Sequence, residues 1–384
     1  MTVAGMLEGV EQGTYSLAID AMGGDRAPDI VVEGMDIASE RHPQARFLLV
    51  GDEVKLAALL KRYKRAAKSC TIKHAADAIS GDMKPSVALR MRQSSMRLAI
   101  DAVAQGAASG VVSAGNTGAL LTLAKIVLKT LPGIDRPAMA AIGPSARGDV
   151  VMLDLGANVS CDTRNLVEFA VMGDVFARTV LGLTAPTIGL LNVGSEEMKG
   201  DETLRRAADL LRASHIGPQF HGFVEGHDIA AGTTDVIVTD GFTGNIALKT
   251  GEGALKLIGQ LLRQVFSSGI AARIGYLLAR PGLDRLREWL DPRRYNGAVM
   301  LGLSGVVVKS HGGTDAQGFA HAVDVAMDMV VHRFNDRMRE GLGKIGALQL
   351  KPAKEPVKAP ISDKGTGTED GPGIGGVGPL AAAG

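Results

Sequence analysis

Short apolar runs recur along this chain, and each is followed by a turn rich in Gly, Asn or Asp and then by apolar residues at helical spacing. Examples are YSLAIDAMGGD, SGVVSAGNTGALLTLAKIVL and TDVIVTDGFTGNIALK. Runs this continuously apolar are typical of strands buried on both faces. The pattern therefore predicts an α/β fold, with a mainly parallel sheet and helices on both faces. In such a sheet ligands bind at the carboxyl ends of the strands, so we expect these turns to converge on one crevice.

Residues 255–296 depart from this pattern, because they read as a protruding helical hairpin with no strand of its own. Apolar residues at helical spacing, Leu255, Ile258, Leu262 and Val265, predict pairing with a second copy in a homodimer. The predicted bend, SSGIAARIGYLLARPGL, combines apolar residues with arginines, which suits shallow insertion into an anionic membrane surface. A helix packed inside the dimer would use the same residues, so both interpretations stay open.

The two ends of the chain differ in composition from the rest. Residues 351–384 are rich in Gly, Pro and small polar residues, and we expect this tail to be disordered. Residues 1–15 are predicted to be a flexible extension. The catalytic domain is therefore expected to span residues 16–342.

Charge and cysteine content narrow the class of protein. Forty-two basic and forty-one acidic residues leave a formal net charge of +1, so no global field attracts nucleic acid and any anion site is local. Cys70 and Cys161 follow no metal or redox spacing and suit a reducing compartment. The first residues do not resemble a signal peptide, and no apolar run is long enough to span a membrane. We therefore expect a cytoplasmic protein.

The turn DAMGGD has the composition of an anion-binding loop. Asp20 ends a predicted strand, and Gly23 and Gly24 let backbone N–H groups approach a ligand closely. A tight turn with acids at the start of a helix would have the same sequence, so the structural interpretation stands beside the functional one.

A second turn, SAGNTGALL, places Gly115, Asn116 and Thr117 between a strand and the start of a helix. The free N–H groups and the dipole at that point favour a phosphate or a carboxylate. The turn lacks the lysine and the final Ser or Thr of a Walker loop, so it does not predict a nucleotide site.

Later turns repeat this design with other donors. Asn158 in DLGAN and Asn245 in TDGFTGN offer neutral side-chain donors, although a helix cap is the commoner role of an Asn at the place of Asn245. Lys199 lies in the glycine-flanked loop NVGSEEMKGDE, where it can bind an anion. His311 in KSHGGTD is a hydrogen-bonding loop residue or a phosphate ligand.

Other chemistries have less support. His215, His221 and His227 have no paired acid at ligand spacing, so we expect no metal site and no cofactor. Cys161 has no evident base and reads as an inert thiol. The stretch RMRQSSMR at residues 90–97 is a solvated helix face or a basic docking stripe for an acidic partner.

Taken together, DAMGGD, SAGNTGALL, IDRPA, DLGAN, GLLNVGSEEMKGDE, TDGFTGN and KSHGG occur in the order seen in the bacterial phosphate acyltransferases of phospholipid synthesis. The chain resembles this family from about Ser16 to about Met338. The resemblance implies reversible transfer of a long-chain fatty acyl group from acyl carrier protein to inorganic phosphate. It also implies a homodimer and a fold similar to phosphotransacetylases and isocitrate or isopropylmalate dehydrogenases. Peripheral contact with the inner face of the membrane and with the downstream glycerol-phosphate acyltransferase would follow from this role.

This reaction needs positioning more than a nucleophilic side chain, because phosphate is already an anionic nucleophile and a thiolate leaves readily. We therefore expect Lys199 to clamp the phosphate and the oxyanion, and Asn245 to donate to the thioester carbonyl. Asn116 and Thr117 are expected to cradle phosphate. The phosphate-binding set is completed by Asp20, Gly23, Gly24, Gly115, Asn158 and His311.

Two alternatives remain open, and a third lacks the residues that it would need. A phosphate acyltransferase that uses short acyl-coenzyme A would share the fold and the attack on a thioester. A metal-dependent dehydrogenase would need clustered carboxylates and arginines, which the sequence lacks. A membrane-associated scaffold without enzymatic activity would use only the helical hairpin.

Overall fold

The computed structural model describes residues 16–214 and 219–345, with side chains described to residue 342. In these ranges eleven strands form a single sheet. In chain order they are β1 (Ser16–Asp20), β2 (Arg46–Gly51), β3 (Cys70–His74), β4 (Gly110–Ser113), β5 (Ala138–Ser145), β6 (Gly148–Leu153), β7 (Thr187–Leu191), β8 (Gln219–Val224), β9 (Val236–Val238), β10 (Ala298–Leu301) and β11 (Val306–Lys309). Both predicted flexible ends, 1–15 and 351–384, lie outside the described residues, as does His215.

Helices alternate with most of these strands. They are α1 (Asp29–Arg41), α2 (Glu53–Leu60), α3 (Lys64–Ser69), α4 (Pro85–Ala88), α5 (Ser95–Ala104), α6 (Thr117–Leu128), α7 (Thr163–Val180), α8 (Glu202–Ala213), α9 (Gly226–Ala231), α10 (Gly241–Ser267), α11 (Ile270–Trp289), α12 (Ala316–Val331) and α13 (Phe334–Ile345).

The sheet is mixed, and most neighbouring strands are parallel. Its strand order is β3-β2-β1-β4-β11-β10-β5-β6-β9-β7-β8. Strand β10 is antiparallel to β11 and β5, and β5 is antiparallel to β6. The other pairs are parallel, which confirms the predicted α/β class with a mainly parallel sheet.

Helices cover both faces of the sheet, as the apolar runs predict. In β1, Leu17 and Ile19 pack into the cluster that contains the buried faces of α1, α7 and α12, whereas Ala18 packs with α5 and α6. Strands β1, β2 and β4 contribute alternate residues to these two cores, which is why they are apolar on both sides.

Helices α10 and α11 form a hairpin that extends from the sheet. Only Gly241 and Gly244 of α10, and no described residue of α11, are buried. The predicted bend is wrong in detail, because the chain turns at Ser268 and Gly269, and the residues from Ile270 onward are helical. The hairpin is consequently longer than predicted and exposes apolar side chains along both helices, such as Leu278 at 81%.

No helix in the described ranges is both long and apolar enough to cross a lipid bilayer.

Candidate active site

The turns that follow the strands form two groups, because the sheet reverses direction at β10 and at β6. β1, β4 and β11 run in the opposite direction to β6, β9 and β7. The register places Val308 of β11 in one row with Val299, Ala140 and Leu153 of β6, so the carboxyl ends of the two sets of strands reach the same level of the sheet from opposite directions. The convergence of all the turns on one crevice stays a prediction, whereas the antiparallel pairing of β10, β5 and β6 was not predicted.

The first turn group (residues 20–25, 113–118 and 309–314) is built on three strand ends that lie side by side. Asp20 pairs in register with Ser113, and Ser113 with Lys309. The buried Asp20 carboxylate accepts hydrogen bonds from the Ser95 hydroxyl at 2.6 Å and the Ser113 hydroxyl at 2.7 Å. Burial raises the pKa of Asp20, and the two hydroxyls oppose this shift. Asp20 thus anchors the turns from inside, and its membership of the phosphate-binding set stays a prediction.

Glycines allow these three turns to approach each other. A Cβ on Gly23 would lie 2.6 Å from an Asp20 carboxylate oxygen and 2.7 Å from the Gly115 nitrogen. Gly24 has φ +110°, a conformation that favours glycine, and lies against Gly312. The predicted glycine-rich turns therefore have a demonstrable packing role, and they bring their backbones together in one place.

Every hydrogen-bonding group of the Asn116 side chain already has a partner within the protein. Its Oδ1 caps α6 by accepting from the Ala119 N–H at 2.9 Å. Its Nδ2 donates to the Gly81 carbonyl at 2.7 Å and the Met83 carbonyl at 3.0 Å. Asn116 positions the turn, and its side chain has no donor left for a phosphate.

Thr117, by contrast, is exposed at the first position of α6. Within the ranges that the structure describes, its hydroxyl has no hydrogen-bond partner, and the N–H groups of Thr117 and Gly118 have no acceptor. These groups are available to an anion at the start of the helix.

His311 and Lys309 belong to the third turn of this group. The exposed His311 donates its backbone N–H to Asn296 Oδ1 at 2.8 Å, and its Nδ1 accepts from the Gly313 N–H at 3.1 Å. Lys309 is buried, and its Nζ donates to the Ala114 carbonyl at 3.4 Å and to the Ser310 carbonyl. Burial lowers the pKa of Lys309 to about 8.

Sequence reasoning missed Lys309 and Asn296 as organisers of this group. A lysine at the end of the apolar run VVVK was the available signal, because a strand buried on both faces would bury it too. Asn296 gave none. Its Nδ2 donates to the Ser310 hydroxyl at 2.9 Å and to the Gly318 carbonyl at 2.6 Å, and both partners lie far along the chain.

In the second turn group (residues 154–162, 192–201 and 239–245), Asp154 organises the DLGAN turn. Its buried carboxylate accepts from the backbone N–H groups of Met139, Gly156, Ala157 and Asn158 at 2.7–3.2 Å. Burial raises the pKa of Asp154, whereas these hydrogen bonds lower it. Asp154 therefore holds the DLGAN turn in one conformation.

Asn158 is part of this scaffold. Its Nδ2 donates to Asp154 at 2.9 Å and to the Pro137 carbonyl at 2.8 Å, so the amide has no hydrogen left for a substrate. As with Asn116, the structure assigns the side chain a positioning role in place of the predicted phosphate contact.

Asn245 is not a helix cap, so that alternative is wrong. Asp240 caps α10, accepting from the Thr243 N–H at 2.9 Å and the Thr243 hydroxyl at 2.7 Å. Asn245 lies one turn further on, half-buried, beside Gly156. In the described part of the chain its amide has no hydrogen-bond partner, and it is therefore free to donate to a ligand.

Lys199 is exposed in the loop after β7, with its side chain beside Gly194. Among the described residues no carboxylate lies within 4.0 Å of its ammonium group, so the cation is available to an anion. In the same loop the Nδ2 of Asn192 is buried without a partner among the described residues, while its Oδ1 accepts from the Val193 N–H at 2.8 Å. Asn192 is a third residue that sequence reasoning did not single out.

Cys161 follows the DLGAN turn by three residues and is half-buried. Burial, reinforced by the nearby Asp154 and Asp240 carboxylates, raises the pKa of its thiol to about 12. The thiol stays protonated at neutral pH, as expected of an inert cysteine.

The chain is similar to proteins of known name over most of its length. Residues 15–337 match the family model described as fatty acid synthesis protein. The chain is 72% identical over 345 residues to the phosphate acyltransferase of Granulibacter bethesdensis, covering 90% of this chain and 93% of that protein. It is 73% identical over 332 residues to the phosphate acyltransferase of Acidiphilium cryptum, covering 86% of this chain and 87% of that protein.

Solved structures share the fold at low sequence identity. A phosphotransacetylase from Streptococcus pyogenes superposes with a TM-score of 0.57 at 16% identity, covering 86% of this chain and 99% of that chain. The EutD phosphotransacetylase from Staphylococcus aureus gives a TM-score of 0.54 at 14% identity, covering 86% of this chain and 99% of that chain.

Proposed function

Because this chain belongs to the family of phosphate acyltransferases, we propose that it transfers a long-chain fatty acyl group from acyl carrier protein to inorganic phosphate. The motifs' resemblance to this family is confirmed, and the chain is an acyltransferase. The carrier protein as donor and the long chain of the acyl group are the proposed part. Short acyl-coenzyme A as donor is the alternative.

The reaction forms one bond and breaks one. A phosphate oxygen attacks the thioester carbonyl carbon, the carbonyl oxygen becomes an oxyanion, and the carbon–sulfur bond then breaks to give acyl phosphate and a thiolate, which takes a proton from solvent. In this step the anionic phosphate bonds to a carbonyl group whose oxygen itself becomes negatively charged. Catalysis therefore requires cations and hydrogen-bond donors held where the charge develops.

The unoccupied donors of Lys199 and Asn245 support the second turn group as the reacting centre. The Lys199 ammonium has no carboxylate partner, and the Asn245 amide has no hydrogen-bond partner, among the described residues. We assign Lys199 as the clamp for the reacting phosphate and the oxyanion, and Asn245 as the donor to the carbonyl oxygen. The free Asn245 amide is the observation that carries this assignment, because the comparable Asn116 and Asn158 are fully engaged.

The first turn group is proposed as a further phosphate-group site. Thr117 and Gly118 offer free N–H groups, Asn116 fixes the helix start from which they point, and His311 keeps its Nε2 available. Gly23, Gly24 and Gly115 contribute by letting the turns close together.

A basic surface beside the first turn group supports a carrier protein as the donor. The stretch at residues 90–97 is not one helix face, because Arg90 and Arg92 lie in turns and only Arg97 is helical, where it pairs with Asp101 at 2.8 Å. Arg90 and Arg92 are exposed and have no carboxylate within 4.0 Å among the described residues. Asn116 holds the chain before this stretch, at Gly81 and Met83, against the start of α6, and Gly118 of α6 lies beside Pro85. An acidic face of a carrier protein docked at Arg90 and Arg92 would therefore lie close to the first turn group.

The exposed hairpin supports a homodimer and a membrane contact. Leu255, Ile258, Leu262 and Val265 are between 37% and 61% exposed. Burial of this stripe against a second copy would remove its apolar surface from water. Nearer the turn, Ile270, Ile274, Leu277 and Leu278 stand beside arginines, a composition that suits an anionic bilayer surface and release of acyl phosphate to a membrane-bound glycerol-phosphate acyltransferase.

Comparison of donors tests the proposal. Purified protein is incubated with phosphate and either long-chain acyl carrier protein or acyl-coenzyme A of short and long chain, and the initial rates of thiol release are compared. We expect the highest kcat/KM with the long-chain carrier-bound donor. Preference for short acyl-coenzyme A would establish the alternative, and no thiol release with any donor would leave the scaffold interpretation.

A further inference from the structure

Lys309 is a buried cation without an ion-pair partner. It ends β11, is 9% exposed, and within residues 16–214 and 219–345 no carboxylate oxygen lies within 4.0 Å of its Nζ. The ammonium donates to two backbone carbonyls, that of Ala114 in the second turn of the first turn group and that of Ser310 in the third. An ammonium group carries three hydrogens, so one donor remains.

Two carboxyl groups face Lys309 without forming an ion pair with it. Burial favours the neutral form of the lysine, whereas Asp20 on β1 and Asp25 in the first turn favour its charged form. The Asp20 carboxylate accepts from the hydroxyls of Ser95 and Ser113, so the third hydrogen of the Lys309 ammonium is left for another acceptor.

The carbonyl contacts also determine which backbone groups remain available to a ligand. Because the Ala114 and Ser310 carbonyls point at the Lys309 ammonium, they are turned away from any anion in the turns. The N–H groups of Thr117 and Gly118, which have no acceptor among the described residues, follow three and four residues after Ala114. With the carbonyl oxygens bonded to the cation and the N–H groups left free, the turns present the positive ends of their dipoles to a bound anion.

We propose that Lys309 is a positioning residue for a phosphate group bound in the first turn group, where its charge and its hold on two carbonyls organise the N–H donors. The inference rests on the proposed function for the identity of the ligand. Two reactants can supply the phosphate group: the inorganic phosphate that is acylated, and the phosphate on the pantetheine arm of the thioester donor.

Binding in the absence of acyl transfer tests this role independently of the reaction. Lys309→Met removes the charge and keeps the length of the side chain, and Lys125→Met makes the same change at an exposed lysine of α6. Titrations with inorganic phosphate and with phosphopantetheine, each followed by calorimetry, give Kd for the three proteins. We expect Lys309→Met to weaken one of these ligands at least about tenfold, as for loss of a charged hydrogen-bonding partner, and Lys125→Met to leave both unchanged.

The ligand that is affected identifies its source. Weaker binding of inorganic phosphate, with a higher KM for phosphate, assigns the site to the nucleophile and leaves Lys199 with the oxyanion alone. Weaker binding of phosphopantetheine, with a higher KM for the donor, assigns it to the pantetheine arm. Unchanged Kd for both ligands in a folded Lys309→Met protein would overturn the inference. A protein that binds these ligands yet transfers no acyl group would contradict the proposed function alone.

The wild-type chain provides a second measurement if Lys309→Met does not fold. Sulfate keeps a constant charge from about pH 7 to about pH 9, so any change in its affinity over this range comes from the protein. Lys309 has a pKa of about 8 and loses its charge as the pH rises through that value. The affinity of the protein for sulfate should therefore fall at least about fivefold across this range. An affinity for sulfate that does not change with pH would overturn the role of Lys309.

Discussion

The substitution Asn245→Ala separates a catalytic donor from a structural residue. The Asn245 amide has no hydrogen-bond partner among the described residues and the side chain is half-buried beside Gly156. Its removal should therefore change the free energy of unfolding by less than about 0.5 kcal/mol, as for a surface substitution that breaks no network. Removal of a neutral donor to a developing oxyanion should lower kcat about tenfold to a hundredfold, or about 1.4 to 2.7 kcal/mol in activation free energy.

Asp240→Ala is the matched control, five residues earlier on the same helix. Asp240 accepts two hydrogen bonds from Thr243, at 2.9 and 2.7 Å, and its loss should cost about 1 to 2 kcal/mol in the free energy of unfolding. Urea unfolding and initial-rate kinetics are measured on both variants. The reasoning is refuted if Asn245→Ala loses stability like Asp240→Ala while keeping its kcat.

Three further predictions concern other parts of the molecule. Lys199→Ala should lower kcat at least about a hundredfold with an unchanged urea midpoint, because an exposed cation with no described ion pair has little packing to lose. The control Lys68→Ala, at another exposed lysine, should change neither kcat nor the urea midpoint. Wild-type turnover in Lys199→Ala would show that Lys199 is not part of the site. The double change of Arg90 and Arg92 to Glu should raise KM for acyl carrier protein at least about fivefold while leaving KM for phosphate unaltered, and equal KM values for the carrier would place its docking surface elsewhere. Replacing Ile274 and Leu277 by Asp should abolish sedimentation with anionic vesicles while analytical ultracentrifugation still shows a dimer; a variant that dissociates but still sediments would assign these residues to the dimer interface.

The sequence predicted the fold class because the strands are apolar on both faces and their turns carry strong signals. The reversal of the sheet was not predicted, because it depends on the hairpin between β5 and β6 and on the strand β10. β10 follows the long helical hairpin and inserts between β11 and β5. Its four residues, AVML, give no indication of which strands flank them.

The candidate site was only partly accessible to sequence reasoning. Asn116, Asn158 and Asn245 look alike as residues that follow a turn, and the structure distinguishes them by partners distant in sequence. Asn116 donates to carbonyls more than thirty positions away, and Asn158 to Pro137, whereas Asn245 has neither kind of partner in the described ranges. Local sequence identifies a side chain that can donate a hydrogen bond, but only the folded chain shows whether that bond is already made.

The most direct test of the account is the stoichiometry of the products. Purified protein is incubated with long-chain acyl carrier protein and ³²P-labelled phosphate, and the released carrier thiol is counted against the label that appears in acyl phosphate. We predict one labelled acyl phosphate for each thiol, with both products lost in Lys199→Ala. Release of thiol with free fatty acid and no labelled acyl phosphate would show a hydrolase and contradict transfer to phosphate.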